Sequence, residues 1–520
     1  MTVYGAVART HPTPMPRTPT PLDEGRDNLA SEGITRAKLN GQVYTPLELA
    51  RQVVDGLRWP HGAGLNCVDP TCGDGIFLQA AVERLAAAGL GDHVDAIAGF
   101  DIDPDAVDAA RARLDGVCRE LGLAGRPRIE HRDALRAEFS AHAIIGNPPY
   151  LEAKRMPDAV KAQVRATCPV AATGAFDLYA AVTERAVCAL APGGELAFVV
   201  PNRILVTRAT SALRTWLVAR GRASVRDLSE DGWFGAVAVY PVVIGLDRAA
   251  ASGWVVSTAP DAPDAHFTPE AIERIGGRVP LPRGPMCDIL RRVLADPDRF
   301  GPLSRGIHVR WTVSFHRRGL RDAFVFTDRP DSPHARRFLG GVRFAGNREL
   351  APYRITWAGT WIDYDVERAK DAHNGLPPIA VFDEPHVVIP QNARRPRAAL
   401  DRAGHVLKDT FLAGVLRENA DPAWLPWLTV VLNSAFGHHL YEALFGGTRK
   451  GGGYLQLLGS YLHGLPIPDP PAGIDALHAR LAADPDDDAA WRDAEQAVRA
   501  AWRVTEAESA ALDALPTPAP

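Results

Sequence analysis

The sequence of 520 residues lacks the features of a membrane protein, a disulfide scaffold or a strongly basic protein. It has no run of about 18 apolar residues, so no membrane-spanning helix is predicted. Its six cysteines form no C-x-x-C pair, which argues against a zinc ribbon or a redox motif and fits a reducing cytosol. Because the N-terminus also lacks the apolar core of a signal peptide, we predict a cytoplasmic protein.

Charge is distributed unevenly along the chain. The net charge of −4 provides no overall basic field, so any binding of nucleic acid must use local positive charge. Residues 281–350 hold 14 arginines against 7 acidic residues, a net charge of +7. Residues 471–520 hold 4 arginines against 10 acidic residues, a net charge of −6. The first of these segments is therefore the predicted location of a basic surface.

The distribution of prolines and apolar runs predicts four parts. Closely spaced Thr-Pro steps predict a disordered tail over residues 1–35. Alternating strand-like and helix-like runs predict an α/β domain over 36–250, with a doubly wound, Rossmann-like sheet. Residues 255–470 lose this alternation and predict a separate mixed α+β domain. Residues 471–520 are rich in alanine at helical spacing and predict an acidic helical appendage.

Individual elements of the first domain can be placed from the same patterns. The predicted strands cover 65–69, 96–101, 128–132, 141–146 and 196–200. The predicted helices cover 76–88, 105–121 and 176–190, the last one closed by Pro192-Gly193-Gly194. Ligands of doubly wound sheets bind at the carboxyl ends of the strands, which identifies the segments where functional residues are expected.

The tetrapeptide Asn147-Pro148-Pro149-Tyr150 directly follows one of these strands. Two prolines stiffen the loop, so the Asn147 amide and the neighbouring carbonyl are aimed in fixed directions. Both oxygens can accept hydrogen bonds from one amino group, which draws its lone pair out of conjugation and makes the nitrogen more nucleophilic. Tyr150 offers a flat face to a planar base. The alternative interpretation is a rigid proline turn with an asparagine cap.

A second set of residues follows the first three strands. Residues 69–75 link the first strand to the first helix, and Gly73 and Gly75 allow a ligand to approach the backbone closely. The third glycine of the dinucleotide fingerprint is missing. Asp101 ends the second strand, where an acid can bind both hydroxyls of a ribose. Asp133 follows the third strand and can either accept from an adenine amino group or cap a helix.

Together these residues resemble the TaqI-type (gamma-class) DNA adenine-N6 methyltransferases of type II restriction-modification systems. The resemblance covers residues 36–250 and follows the family's motif order, with cofactor motifs first, the catalytic motif next and the recognition domain last. Residues 465–468, Leu-Pro-Ile-Pro, are similar to the segment that closes the family's recognition domain. The resemblance implies S-adenosylmethionine as cofactor and double-stranded DNA as partner.

The resemblance also implies roles for individual residues. It assigns cofactor binding to Thr45, Asp69, Gly73, Gly75, Asp101, Ile102 and Asp133. It assigns catalysis to Asn147, Pro148, Pro149 and Tyr150. Tyr150 and Phe234 would hold the flipped base from its two sides, with Tyr240 as the second-best alignment for the latter.

In the recognition domain, arginines are the candidate DNA contacts, although solvated surface charge is the alternative for each one. They are Arg305, Arg310, Arg317, Arg318, Arg343, Arg348, Arg394, Arg395 and Arg397. Trp311 and Trp357 are predicted to belong to the core. His438 and His439 have no third ligand nearby in the sequence, so no metal is predicted.

The predicted function is site-specific methylation of adenine N6 in DNA by a monomer. About 35 residues precede the first motif, too few for a nuclease domain, so methylation without cleavage is expected. A separately encoded endonuclease is a possible partner, in restriction or phage defence. Alternative substrates are cytosine N4, RNA and protein glutamine, and a catalytically inactive DNA-specificity protein is the alternative from another class.

Overall fold

The computed structural model describes residues 45–60, 64–229, 233, 240–258, 263–315, 319–340, 348–449 and 453–518. The predicted tail at 1–35 lies outside the described residues, as do Phe234, Arg317, Arg318 and Arg343. Among the described residues, no helix combines the length and the apolar character needed to span a bilayer.

Strands and helices alternate through the first half of the chain. The helices are α1 (Leu47–Asp55), α2 (Ile76–Ala87), α3 (Pro104–Glu120), α4 (Asp158–Thr167), α5 (Leu178–Ala189), α6 (Ser211–Val218), α7 (Pro269–Arg274) and α8 (Met286–Ala295). The strands are β1 (Cys67–Asp69), β2 (Ile97–Asp101), β3 (Arg128–His131), β4 (Ala141–Gly146), β5 (Leu190–Pro201), β6 (Arg222–Asp227), β7 (Pro241–Asp247), β8 (Gly253–Ser257) and β9 (Ala265–Phe267).

These strands form one sheet in the order β3-β2-β1-β4-β5-β7-β6-β8-β9. The strands from β3 to β5 are parallel, and β7 runs antiparallel to both β5 and β6. Alternate residues of the strands point to opposite faces: Val68 and Ile144 face one apolar cluster, whereas Cys67 and Ile145 face another. The predicted α/β fold with a doubly wound sheet is therefore confirmed.

One predicted boundary is wrong. The segment Pro192-Gly193-Gly194, expected to be a turn between helix and strand, lies within β5. Ala141 pairs with Leu190 and Ala143 pairs with Glu195, so the extra residues of β5 form an irregularity in the ladder. Pairing with β4 begins before the glycines, and their local turn preference does not delay the strand.

The described residues of the second half form two four-stranded sheets, two two-stranded sheets and a group of buried helices. Its strands are β10 (Ile307–Arg310), β11 (Val325–Phe326), β12 (Ala335–Leu339), β13 (Leu350–Ala351), β14 (Arg354–Ile355), β15 (Trp361–Asp363), β16 (His386–Pro390), β17 (Asn392–Ala393), β18 (Ala399–Asp401), β19 (Val406–Leu407), β20 (Phe411–Leu416) and β21 (Leu455–Gln456). Its helices are α9 (Leu320–Phe324), α10 (Val366–Asp371), α11 (Ala380–Asp383), α12 (Trp424–Asn433), α13 (Ala435–Phe445), α14 (Gly459–Leu462), α15 (Ile474–Ala483), α16 (Asp488–Ala501) and α17 (Glu506–Asp513).

The four-stranded sheets have the orders β10-β20-β16-β18 and β11-β15-β12-β19. This mixed α+β arrangement agrees with the prediction for residues 255–470. The helical character predicted for residues 471–520 is also observed, in α15, α16 and α17. The predicted domain boundaries remain predictions.

One apolar cluster extends through both halves of the chain. It contains Phe198 of the large sheet, Trp427 and Phe436 of the buried helices α12 and α13, and Trp502 just after α16. The Trp502 ring lies 5.3 Å from that of Phe436 and 6.4 Å from that of Phe300, measured between centroids. The C-terminal helices thus complete a core that they share with the rest of the chain.

We expect Trp502→Ala to lower the free energy of unfolding by about 3–5 kcal/mol, because it removes a large buried ring and leaves a cavity. Since the core is shared, urea unfolding followed by circular dichroism should show one transition that shifts as a whole. Trp311→Ala is the matched control: that side chain is 58% exposed, and its loss should change stability by less than about 0.5 kcal/mol. A second, unshifted transition in the Trp502 variant would contradict a shared core.

Candidate active site

The candidate site lies where the direction of strand order reverses, between β1 and β4. In doubly wound sheets, the loops at this point separate and leave a crevice at the carboxyl ends of the strands. Residues 69–75 leave β1 there, and the predicted catalytic tetrapeptide leaves β4 beside them. The two most informative sequence motifs are therefore neighbours in space.

Asp69 joins these two loops. Its carboxyl group is 1% exposed and accepts a hydrogen bond from the Thr71 amide at 3.0 Å. Gly146 packs directly on it at φ +143°, and a Cβ at position 146 would lie 2.5 Å from Asp69 Oδ1. Only glycine fits in this position. Burial raises the pKa of Asp69 to about 8, so the isolated chain holds this carboxyl largely protonated at neutral pH.

The glycine-rich loop leaves space for a ligand beside its backbone. Gly73 has φ +53°, and a Cβ built there would meet nothing within 4 Å. Its amide donates to Asp101 Oδ2 at 2.9 Å, which ties the loop to the end of β2. Gly75 has φ +84° and sits so close to α3 that its Cβ would lie 3.2 Å from that of Ala110.

Asp101 and Ile102 present a polar and an apolar group side by side. Asp101 is buried, and Oδ1 accepts from the Asp103 amide at 2.9 Å. Ile102 is 69% exposed, which is unusual for a large aliphatic side chain at the centre of an α/β protein. The Ile102 carbonyl is held by His131 Nε2 at 2.9 Å. An acceptor beside an exposed apolar surface suits a ribose joined to a flat base.

Asp133 stabilises a turn in the structure, where the sequence allowed either a helix cap or a contact with adenine. Its Oδ1 accepts from the Leu135 amide at 2.9 Å, so the side chain stabilises the local turn. Its Oδ2 accepts from Gln163 Nε2 at 3.3 Å. The turn role is observed directly, and the role toward an adenine remains a prediction.

The predicted catalytic tetrapeptide is fixed at both ends. Asn147 Nδ2 donates to the Thr45 hydroxyl at 3.0 Å. The Tyr150 hydroxyl donates to the Val199 carbonyl at 3.3 Å, and its ring meets Tyr179 edge-on at 6.1 Å. Burial raises the pKa of Tyr150, so the phenol stays neutral and its ring is held at a defined angle.

The second aromatic of the predicted base pocket, Phe234, lies outside the described residues. Tyr240, the alternative, is described: its carbonyl accepts from the Asn202 amide at 2.8 Å, at the carboxyl end of β5. Tyr240 is thus tied to the same edge of the sheet as Tyr150.

Two cations beside the tetrapeptide were missed by the sequence analysis. The side chains of Lys154 and Arg203 are 75% and 56% exposed. Both contact Glu152, at 2.5 Å and 3.5 Å respectively. Lys154 could have been identified from the sequence, because it follows Tyr150 by four residues. The pairing of Arg203 with Glu152, by contrast, depends on the fold.

Two arginines of the basic segment 281–350 form ion pairs with other parts of the chain. Arg283 pairs with Asp227 of the large sheet at 2.7 Å, and Arg292 pairs with Glu508 of the C-terminal helices at 2.5 Å. These two arginines connect parts of the protein, and a basic surface formed by the rest of the segment stays a prediction.

Arg305 and Arg395, two of the predicted DNA contacts, also have structural partners. Arg305 donates to the Ile467 carbonyl at 2.6 Å, and Arg395 donates to the Asn433 carbonyl at 2.6 Å. Burial lowers the pKa of Arg395, as expected for a guanidinium turned inward. Neither is retained among the DNA contacts proposed below.

A different group of residues is exposed at one end of the β10-β20-β16-β18 sheet. We call it the recognition edge; it consists of Arg310, Trp311, Arg394 and Tyr454. β10 and β16 both end here because each pairs antiparallel with β20 between them. Arg394 stacks over the Tyr454 ring at 5.4 Å, and Tyr454 is 43% exposed.

The prediction that Trp311 belongs to the core is wrong. The next residue, Thr312, points inward and donates to the carbonyl of Lys408 at 2.8 Å or of Phe411 at 2.9 Å. Neighbouring side chains of an extended segment point in opposite directions, so Trp311 faces solvent. Trp357 is partly buried, and its Nε1 donates to the Thr360 carbonyl at 2.8 Å.

A series of contacts links the large sheet to the segment that carries Arg394 of the recognition edge. Gly447 approaches the carboxyl end of β5 so closely that its Cβ would lie 3.0 Å from the Asn202 carbonyl oxygen. Thr448 follows, and its hydroxyl accepts from the Gln456 amide of β21 at 3.3 Å. β21 pairs with β17, the strand that leads into Arg394.

The expectation that His438 and His439 lack a third ligand is wrong, because Glu442 lies one helical turn away and their ligand atoms fall within 4.8 Å of one another. Glu442 is already paired with Arg449, however. Burial, together with the neighbouring His439, Arg395 and Arg449, lowers the pKa of His438 to about 3. A metal cation would be repelled by these arginines, so we assign no metal to this cluster.

The site as a whole fits S-adenosylmethionine. The open backbone at Gly73 admits a close ligand, and the buried Asp69 carboxyl would be compensated by an ammonium group. Asp101 and the exposed Ile102 suit an adenosine. The residues that would hold the cofactor are thus present at the carboxyl ends of β1 and β2.

Comparison with known proteins relates both halves of the chain to the same class of enzymes. Residues 127–225 match the Eco57I restriction-modification methylase family, and residues 344–467 match the TaqI-like C-terminal specificity domain. The chain is related to the type II restriction-modification methyltransferases. The match to the specificity domain ends at Ile467, within the segment that the sequence analysis identified as closing this domain.

Two curated relatives illustrate the extent of the similarity. The type II methyltransferase M.TthHB8I of Thermus thermophilus is 34% identical over 196 residues, which are 36% of this chain and 41% of that protein. The type II methyltransferase M.PaeR7I of Pseudomonas aeruginosa is 24% identical over 294 residues, or 52% of this chain and 51% of that protein. The chain thus spans about half or less of the length of these relatives.

Solved structures extend the similarity to the whole fold. The Type IIL restriction-modification enzyme MmeI, solved in complex with DNA, has a TM-score of 0.53 and 16% identity, covering 95% of this chain and 76% of that chain. The DrdV–DNA complex has a TM-score of 0.51 and 13% identity, covering 86% of this chain and 57% of that chain. At these identities the likeness shows a common fold.

The buried carboxyl of Asp69 should affect the pH dependence of stability. From about pH 4, the ordinary range of an aspartate, to pH 8, the folded chain holds a proton that the unfolded chain releases. The free energy of unfolding should therefore fall as pH rises through this window. Asp69→Asn removes this titration. Between pH 6 and pH 8, the free energy of unfolding of the variant should therefore fall by about 1–2 kcal/mol less than that of the unaltered chain.

Urea unfolding at the two pH values measures this difference. Asp92→Asn, the same substitution at an exposed carboxyl, should follow the unaltered chain. An equal pH dependence for Asp69→Asn and the unaltered chain would show that Asp69 does not hold the proton.

Proposed function

We propose that this chain is a site-specific DNA methyltransferase that transfers a methyl group from S-adenosylmethionine to the N6 amino group of an adenine rotated out of double-stranded DNA. The observation that carries the proposal is the position of residues 147–150 at the switch point of the sheet, beside the Asp69 loop. The relatives named above are type II methyltransferases, which supports a role in restriction-modification or phage defence.

The tetrapeptide would activate the amine by orienting it. Asn147 Oδ1 and the neighbouring proline carbonyl accept hydrogen bonds from the amino group, so its lone pair points out of the base toward the cofactor. S-adenosylmethionine supplies an electrophilic methyl group on a sulfonium. Because the geometry of the amine provides most of the catalysis, no general base is required before transfer, and the surplus proton leaves to water afterwards.

The base must leave the DNA stack to reach this site. The Tyr150 ring, fixed by its contacts with Val199 and Tyr179, offers one face for stacking. Stacking of a base on an aromatic ring contributes about 1–3 kcal/mol, which offsets part of the cost of unstacking. Phe234 or Tyr240 would hold the other face.

The residues we propose to hold the cofactor are Asp69, Gly73, Gly75, Asp101, Ile102 and Asp133. The hydroxyl of Thr45, which the resemblance also assigns to the cofactor, is bonded to Asn147. Arg310, Trp311, Arg394 and Tyr454 at the recognition edge are proposed to contact DNA, with Lys154 and Arg203 next to the tetrapeptide as phosphate contacts. Arg317, Arg318 and Arg343 stay candidates from their sequence positions. The contact between Gly447 and Asn202 supports this arrangement, because it joins the second half of the chain to the large sheet at the carboxyl end of β5.

Asn147→Ala should reduce methyl transfer by at least about 100-fold while cofactor affinity stays nearly constant, since the lost acceptor acts on the transition state. Transfer of labelled methyl groups to DNA, followed by mass spectrometry of the nucleosides, measures both rate and product. Asn66→Ala, at an exposed asparagine before β1, is the matched control and should retain activity.

The product distinguishes the proposed reaction from its alternatives. N6-methyladenine is expected, whereas N4-methylcytosine would correct the target base. Labelling of RNA or protein in place of DNA would refute the proposed substrate. Full activity of Asn147→Ala would refute the assignment of the catalytic residue.

Trp311→Ala should weaken binding of DNA that contains the recognition site by about 10-fold, because a stacking surface at the recognition edge is lost. Fluorescence anisotropy with labelled duplex gives the affinity, and calorimetry should show unchanged binding of S-adenosylmethionine. The control is Leu121→Ala, which alters an exposed apolar residue directly after α3 in the first half of the chain. Unchanged DNA affinity of Trp311→Ala would place the DNA elsewhere.

A further inference from the structure

We infer that Thr45 is a positioning residue for the catalytic amide: its hydroxyl holds Asn147 with the amide oxygen directed at the target amine. The resemblance assigns Thr45 to the cofactor, whereas the structure gives it a direct bond to Asn147. The inference rests on the proposed function and adds a residue to its chemistry.

The bond joins two distant parts of the chain. Asn147 Nδ2 lies 3.0 Å from Thr45 Oγ1, across 102 residues of sequence. Thr45 is 3% exposed, so water does not compete freely for its hydroxyl. A bond that is sheltered in this way holds the amide more firmly than one at the surface.

Thr45 can serve as an anchor because the chain beside it is rigid. Pro46, the N-cap of α1, has its φ fixed by its ring at −62°. α1 then packs on the sheet through Leu49, Ala50 and Val54, each 0% exposed. The position of the hydroxyl is thus set by the core, independently of any ligand.

The chemistry of an amide explains why such an anchor matters. An asparagine side chain has a donor end and an acceptor end, and only the acceptor end can bind the hydrogens of an amine. When Nδ2 donates to Thr45, Oδ1 is turned away from Thr45, as the proposed reaction requires. A hydroxyl can also donate, but the opposite orientation would present the NH₂ group to the target amine, and two donors repel each other.

Thr45→Val keeps the shape of the side chain and removes the hydroxyl. We expect kcat for methyl transfer to fall about 10-fold, the effect of losing one hydrogen bond that orients the acceptor. The dissociation constant of S-adenosylmethionine, from calorimetry, should stay within 2-fold, a fold-change of about 0.4 kcal/mol. Thr45→Ser, which retains the hydroxyl, should restore most of kcat.

A double-substitution cycle tests whether Thr45 acts through Asn147. In the Asn147→Ala background, Thr45→Val should have no further effect on kcat, because the group that it positions is gone. A purely structural role would instead lower the activity of both backgrounds by the same factor. Equal factors would overturn the inference.

The other outcomes are also decisive. A Thr45→Val variant with unchanged kcat at saturating cofactor and a weakened cofactor affinity would return Thr45 to the role of a cofactor contact. Failure of the unaltered chain to methylate DNA would overturn the proposed function and this inference together. Normal methylation by both the unaltered chain and Thr45→Val would overturn the inference alone.

Discussion

The packing of the Asp69 carboxyl against Gly146 fixes the relation between the two loops on which the proposed chemistry depends. A carboxyl with 1% exposure and a glycine without a side chain bring the ends of β1 and β4 closer than other residues would allow. The loop with Gly73 is tied to Asp101 on one side of this contact, and Asn147 is tied to Thr45 on the other. The cost of burying Asp69 is visible in its raised pKa and would be relieved by a bound cation.

The shared core has a similar effect at larger scale. The apolar cluster that includes Phe198, Trp427 and Trp502 joins the catalytic sheet to the buried helices of the second half. The proposed reaction requires a flipped base to be placed to within a fraction of an ångström for an in-line transfer, so a rigid connection between the two halves would be an advantage for it. Gly447, packed at the carboxyl end of β5, extends this rigid connection to the site itself.

Periodicity and turn chemistry were sufficient to predict the five strands from β1 to β5 of the large sheet and the loops around Asp69, Asp101 and Asn147, since each motif directly follows a strand. They were insufficient where long-range packing determines where a strand begins or which way a side chain points. The start of β5 at Leu190 depends on pairing with β4, and the outward position of Trp311 depends on an inward bond of its neighbour. The bond from Asn147 to Thr45 spans 102 residues and leaves no local signal. Charge along the sequence was also a poor guide, because Arg283 and Arg292 are used in internal ion pairs.

The antiparallel sheet that carries the recognition edge has a consequence for how new specificities can arise. The interior of this sheet is buried, as the 0% exposure of Val387, Ile389 and Leu412 illustrates, whereas Arg310, Trp311, Arg394 and Tyr454 are exposed at one end of it. Substitutions at these positions leave the interior packing intact. Related proteins could therefore diverge rapidly in the DNA sequence that they recognise while the scaffold beneath evolves slowly.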